Sequence, residues 1–236
     1  MRSNIRRCCT PCNSDRIDKS AMKKLRWLFP LLLFALLASA CQSYRIADLL
    51  TKSGDALFKD DFSDPASGWA RSVSSSSALD YFGGGFRIWV NTTDYDLWST
   101  PGLNFRDVRI ETDVYMIGGP FENRFGLLCR YRGAGDYYFF VISSDGYYGI
   151  GKLSGGVRSL LSQAMMAYTP AITQGVAVNH LRADCVGETL TLYVNGQPVG
   201  MAQDADLADG DVGLLAGTFG QPGTDAVFDN FVVIKP

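Results

Sequence analysis

The sequence predicts an all-β protein, a two-sheet antiparallel sandwich of about 180 residues. Three observations carry this. Apolar residues recur at every second position in the patterned stretches, the period of a half-buried strand. Asp-Gly and Asn-Gly pairs stand between such stretches at hairpin spacing. No stretch beyond residue 56 keeps the 3.6-residue period of an amphipathic helix for more than a turn or so; Leu160 to Ala167 is the best helix candidate. Many short strands joined by Gly-rich turns pack as a sandwich.

In chain order, Phe86 to Val90 and Leu97 to Thr100 supply the first strands. Next, Val108, Ile110, Val114 and Met116 alternate with Arg109, Glu111, Asp113 and Tyr115. Cys129 shares a strand face with Phe125, Leu127 and Tyr131. Tyr137 to Ile142 (YYFFVI) is an aromatic and β-branched run, hence a central strand. Ser144-Asp145-Gly146 turns it into Tyr147 to Leu153. Cys185 shares a face with Leu181 and Ala183. Leu190 to Val194, Asn195-Gly196 and Gln197 to Met201 form a second hairpin. Val212 to Ala216 and Phe228 to Ile234 complete the set. Phe139, Phe140, Phe228 and Phe231 belong to the core.

Ahead of this domain, Lys23, Lys24 and Arg26 form a basic region, Trp27 to Leu37 an apolar one, and Ala38-Ser39-Ala40 a small-residue cleavage site. The apolar run is about 14 residues even to Ala40, short of the ~20 that span a bilayer. The segment resembles a bacterial lipoprotein signal, in which the next residue, here Cys41, is acylated and becomes the N-terminus. The usual Leu three places before the cysteine is Ala38 here, so ordinary cleavage after Ala40 is the alternative. Cys8, Cys9 and Cys12 lack the spacing and the partner pair of a zinc site. The chain therefore divides into a polar piece 1–21, read as a mis-called start or a disordered leader, a signal 22–40, a spacer 41–56 and a domain 57–236.

The first 40 residues hold eight of the 22 Lys/Arg and two of the 24 Asp/Glu, so the net charge from Cys41 onward is −8. That excludes nucleic acid as the expected partner. Cys129 and Cys185 are the two cysteines after Cys41. In an oxidising compartment they suggest one disulfide, the alternative being two buried thiols.

The segments DDFSDPASGW (60–69), LWSTPGL (97–103), FGLLCRY (125–131), DYYFFVISSDGYYGIGK (136–152), NHLRADCVGETLTLYVNG (179–196), GDVGLLAG (210–217) and FDNFVV (228–233) follow one another as in a family of bacterial exported domains. These resemble the concanavalin A-like lectin/glucanase jelly roll and are similar to laminin-G-like modules and 3-keto-disaccharide hydrolase domains. The resemblance covers residues 57–236 and implies a jelly roll whose first and last strands adjoin, bringing Asp61 and Phe62 near Phe228 and Asp229. It leaves activity open, because such folds host enzymes, lectins and adhesion modules.

Glucanases of this fold carry Glu-x-Asp-x-Glu, or that pattern with one extra residue, on one strand. Here Glu111 and Asp113 fit the first two places, and both places for the last Glu hold other residues, Tyr115 and Met116. Without a second carboxylate ~5 Å away, retaining hydrolysis does not follow. Glu111 and Asp113 then read as an exposed strand face, and His180, the sole histidine, as structural. Laminin-G-like modules imply Ca²⁺, for which Asp60, Asp61, Asp64 and Asp229 are the candidate ligands, with turn chemistry as the alternative. No cofactor is required. The acidic loop Asp204 to Asp211 reads as solvated.

Sugars stack their C–H faces on aromatic rings that carry a polar tip. The candidates are Trp69, Trp89, Trp98, Tyr115, Tyr147 and Tyr148. In a sandwich half of these point inward, and Tyr147 and Tyr148 point to opposite faces. The expectation is a lipid-anchored binding module of the cell envelope that holds carbohydrate without catalysis. The alternatives are a glycoside hydrolase acting on disaccharides or 3-keto sugars, and an adhesion module making protein contacts.

Overall fold

The computed structural model describes residues 51–236; the signal segment, Cys41 and the polar piece 1–21 lie outside the described residues. Sixteen strands follow one another, with no helix among the described residues. They are β1 (Ala56–Asp60), β2 (Ser72–Val73), β3 (Ser77–Phe82), β4 (Gly85–Val90), β5 (Asp96–Ser99), β6 (Val108–Gly118), β7 (Asn123–Tyr131) and β8 (Tyr137–Ile142). Then come β9 (Tyr147–Ser154), β10 (Val157–Leu160), β11 (Ala167–Tyr168), β12 (Val178–Val186), β13 (Thr189–Val194), β14 (Gln197–Gln203), β15 (Asp211–Thr218) and β16 (Thr224–Ile234).

A nine-stranded sheet runs β14-β13-β12-β6-β16-β4-β3-β2. Its ninth strand, β1, pairs with the last residues of β16, setting Asp60 opposite Phe231. First and last strands therefore adjoin, as the resemblance implies. A seven-stranded sheet runs β10-β9-β8-β7-β15-β5, with β11 beside β9. All pairings are antiparallel. The two sheets face each other across one core.

Strand β6 shows how sequence becomes layer. Val108, Ile110, Val114 and Met116 are buried between the sheets, while Arg109, Glu111, Asp113 and Tyr115 lie on the outer face. Strand β8 is buried on both sides. Tyr138, Phe140 and Ile142 enter the central core, and Tyr137, Phe139 and Val141 form a second cluster outside the sheet with Leu128 and Leu215. Covering on both faces is the reason YYFFVI is apolar throughout. Phe140, Phe228 and Phe231 are central as expected; Phe139 belongs to the second cluster.

Two turns follow their chemistry. Asn195 and Gly196 both have positive φ, 51° and 80°, as a two-residue hairpin requires. Gly146 (φ 99°) closes the β8–β9 hairpin by donating to Ser143 O at 3.1 Å.

Three expectations are corrected. Tyr131 does not share the Cys129 face: Arg130 takes a positive φ of 52°, the β7–β15 register slips there, and Tyr131 swings out to the second cluster. Leu160 to Ala167 is no helix. An eight-residue stretch forms one only with tertiary support, and Leu160 and Met166 pack instead on the second cluster. The acidic loop is pinned rather than solvated: Asp204 accepts from the Tyr138 hydroxyl (2.6 Å) and Lys152 (2.5 Å), Asp209 from Arg132 (2.7 Å), and Asp211 is buried.

Cys129 of β7 and Cys185 of β12 form a disulfide across the core, joining the two sheets. Both are fully buried.

Candidate functional site

The outer face of the seven-stranded sheet forms the floor of a groove of about 890 Å³. Trp98 of β5 and Tyr137 and Phe139 of β8 line it, since alternation turns these three away from the central core. Trp98 and Tyr137 stand 5.8 Å apart between ring centroids, and Tyr131 backs Tyr137 at 5.8 Å. Tyr147 and Met166 flank them on the β9–β11 side.

A charged group is set into this apolar floor. Asp96 opens β5, Arg124 lies near the start of β7, and Arg158 is on edge strand β10. Arg124 Nε donates to Asp96 Oδ1 at 2.5 Å, and Arg158 pairs with Asp96 Oδ2. The Asp96 side chain is 5% exposed and that of Arg124 11%. The Arg124 guanidinium lies over the Phe219 ring at 4.4 Å and that of Arg158 over Phe139 at 5.2 Å. Burial lowers the pKa of both arginines from the ordinary value, and the Asp94 charge partly offsets this for Arg124. A glycine makes the arrangement possible: a Cβ at Gly217 would overlap the Asp96 carboxylate.

Tyr137 is held neutral. Its pKa is pushed up to about 12, first by burial and then by Tyr131. Tyr138, on the core side of the same strand, also rises to about 12, through burial and then its bond to Asp204. Both folded values exceed the ordinary tyrosine value of 10.0. The stability gained from these neutral phenols is therefore complete below about pH 10 and lost as pH rises toward about 12. Melting temperatures taken across that range are expected to fall steeply above about pH 10. A flat profile through it would contradict the burial of these phenols.

The aromatic candidates scatter. Trp98 and Tyr147 line the groove. Trp69 does not meet a ligand: it is core, packed on Phe62 (5.3 Å), Phe86 (5.5 Å) and Phe231 (5.0 Å), with its indole N–H donated to Asp60 at 2.8 Å. Tyr148 points opposite to Tyr147, packing on the central core. Its ring occupies the space that a Cβ at Gly200 would need. Trp89 and Tyr115 lie on the outer face of the nine-stranded sheet, away from the groove. The Arg87 guanidinium stands 5.7 Å from the Trp89 ring, and burial followed by Asp113 and Asp229 raises the Tyr115 pKa.

Glu111 and Asp113 share that second outer face and are bridged by His180. Nδ1 lies 2.8 Å from Asp113 Oδ1 and Nε2 3.7 Å from Glu111 Oε2. Asn230 donates to the other Asp113 oxygen at 2.9 Å. These side chains form a cross-strand ladder rather than an open pair of acids.

The calcium candidates are engaged as turn acceptors. Asp60 takes the Phe62 N–H (2.7 Å) besides the Trp69 indole, Asp61 the Ser63 N–H and hydroxyl (3.1 and 2.6 Å), and Asp64 the Ala66 N–H (2.9 Å). Asp229 caps the next N–H, that of Asn230. Among the described residues no three Asp, Glu, His or Cys side chains are placed to hold a metal ion.

Sequence reasoning missed Asp96, Arg124, Arg158, Tyr137 and Phe139 as groove residues. The available signal was a charge abutting an apolar strand, as in DLWS and NRFGLL.

No family model and no curated protein matches the chain. Among solved structures it is similar to the carbohydrate binding module CBM66 from Bacillus subtilis, with 20% identity, 71% of this chain and 96% of that one covered, and a TM-score of 0.57. It is also similar to a Bacillus subtilis protein of unknown function with a galectin-like fold (11% identity, 78% and 97% covered, TM-score 0.58). A third is the GH43 protein BlXynB from Bacillus licheniformis (17% identity, TM-score 0.57), of which the chain spans only 40% while 77% of this chain is covered. These likenesses establish the fold, a galectin-like jelly-roll sandwich.

Proposed function

We propose that the chain is a non-catalytic carbohydrate-binding module of the cell envelope, with the groove over the seven-stranded sheet as its site. The observation that carries this reading is a groove in which the accessible rings of Trp98 and Tyr147 stand over the buried Tyr137 and Phe139, with a buried Asp–Arg group among them. Trp98 and Tyr147 take the C–H faces of a sugar, while the fixed charges supply donors and acceptors for its polar edge. The similar structure named a carbohydrate binding module supports the class. The disulfide supports an oxidising compartment, and the signal segment with Cys41 supplies the lipid anchor of the proposal.

The hydrolase alternative has less support. Glu111 and Asp113 lie on the face away from the groove and are bridged by His180. Asp96, the carboxylate deepest in the groove, is spanned by two guanidinium groups.

A glycan-array screen of the purified protein tests the proposal. Specific binding that is lost in Trp98→Ala is expected. Binding that survives this change with full strength places the site elsewhere, and a folded protein that holds no glycan turns the reading toward protein contacts.

A further inference from the structure

We propose that the groove recognises a carboxylate-bearing sugar, a uronic acid residue, through the free edges of Arg124 and Arg158. This rests on the groove being the glycan site. Two guanidinium groups share one carboxylate there. Arg124 uses its Nε–H on Asp96 Oδ1, and Arg158 meets Asp96 Oδ2 through Nη2. Each guanidinium carries five N–H donors in a rigid fork. Arg124 makes one hydrogen bond, to Asp96, and Arg158 is held to Asp96 by its ion pair alone; no other acceptor for either fork is found among the described residues, and both side chains line the cavity.

At Asp96 itself two guanidinium groups face one carboxylate. The rings of Phe219 and Phe139 hold the two guanidinium planes from one side, so the forks are set before a ligand arrives. Asp96 meets each guanidinium through one nitrogen, Arg124 Nε and Arg158 Nη2. A ligand carboxylate would take the remaining N–H donors and offset the second guanidinium charge, which Asp96 alone leaves unmatched. Sugar hydroxyls would engage the donors singly and leave that charge in place.

The rest of the lining carries the opposite sign, with Asp94 and Glu122 exposed and Asp145 half-buried. Solvent and salt screen these charges over roughly 8 Å. Their repulsion still weighs against a run of carboxylates and favours one acidic unit set between neutral ones.

The experiment uses matched pairs on an array: oligosaccharides with one glucuronic or galacturonic acid unit, each beside its form with the carboxyl reduced to the alcohol. A sulfated form of the neutral member is a third arm. The acid member is expected to bind at least tenfold more tightly, with the margin shrinking as salt rises. Arg158→Gln, on an edge strand and checked for folding by its melting curve, should bring the ratio of acid to neutral affinity close to one. Equal or tighter binding of the reduced form overturns the proposal and leaves the groove as a neutral-glycan site. Equal binding of the sulfated form overturns it in favour of a general anion site. No binding of any member by the folded protein overturns both this inference and the carbohydrate reading beneath it.

Discussion

Replacing Cys129 and Cys185 together by alanine is expected to destabilise the domain by about 4 kcal/mol. The bond closes a span of 56 residues, and in the chain-entropy account a loop of that length restricts the unfolded ensemble by about this much. For a domain of this size the melting temperature should drop by roughly 8–16 °C. The link runs between the two sheets, β7 to β12. Thermal unfolding of the double variant, beside the unaltered protein with and without reductant, measures it. A drop of only a degree or two would mean that core packing alone fixes the sheets.

Asp96→Ala carries the second large effect, a loss of about 3–5 kcal/mol, because it strands a buried arginine without its carboxylate. Arg124 is nine-tenths buried and Arg158 partly so, and Asp96 is the acid both contact. Asp96→Asn keeps the shape and one acceptor, so it should cost less. The comparison by denaturant unfolding separates charge from packing. If the two variants unfold alike, or if Asp96→Ala is as stable as the unaltered protein, the ion pairs do not hold the groove floor.

Much of the fold is legible in the sequence, because half-burial writes itself at every second residue. The alternation of Val108 to Met116, the double-sided YYFFVI and the Asn195-Gly196 turn each sit where the structure has them. Cys129 and Cys185 were readable as partners because each lay among apolar neighbours of its own strand face. What alternation cannot register is a break in the count. The positive φ at Arg130 inserts one, and Tyr131 changes sides. Trp69 lies outside any strand, so no periodicity told its direction, and only the fold brings it onto Phe231. The groove was hidden for a different reason. Asp96, Arg124 and Arg158 come from three separate strands, two of them at opposite ends of the order β10-β9-β8-β7-β15-β5, and only the folded sheet brings them together. Gly217 is equally silent in sequence, since its role is to leave room for a carboxylate on a neighbouring strand.

The measurement that bears most directly on the carbohydrate site is calorimetric titration of one array-selected glycan into the unaltered protein, Trp98→Ala and Trp89→Ala. Trp98 lines the groove and Trp89 lies on the outer face of the other sheet. Trp98→Ala should weaken binding at least tenfold, a loss of about 1.4 kcal/mol or more, while Trp89→Ala leaves the affinity as it was. Weakening in Trp89→Ala with Trp98→Ala unaffected would contradict the assignment and move the site to the nine-stranded sheet.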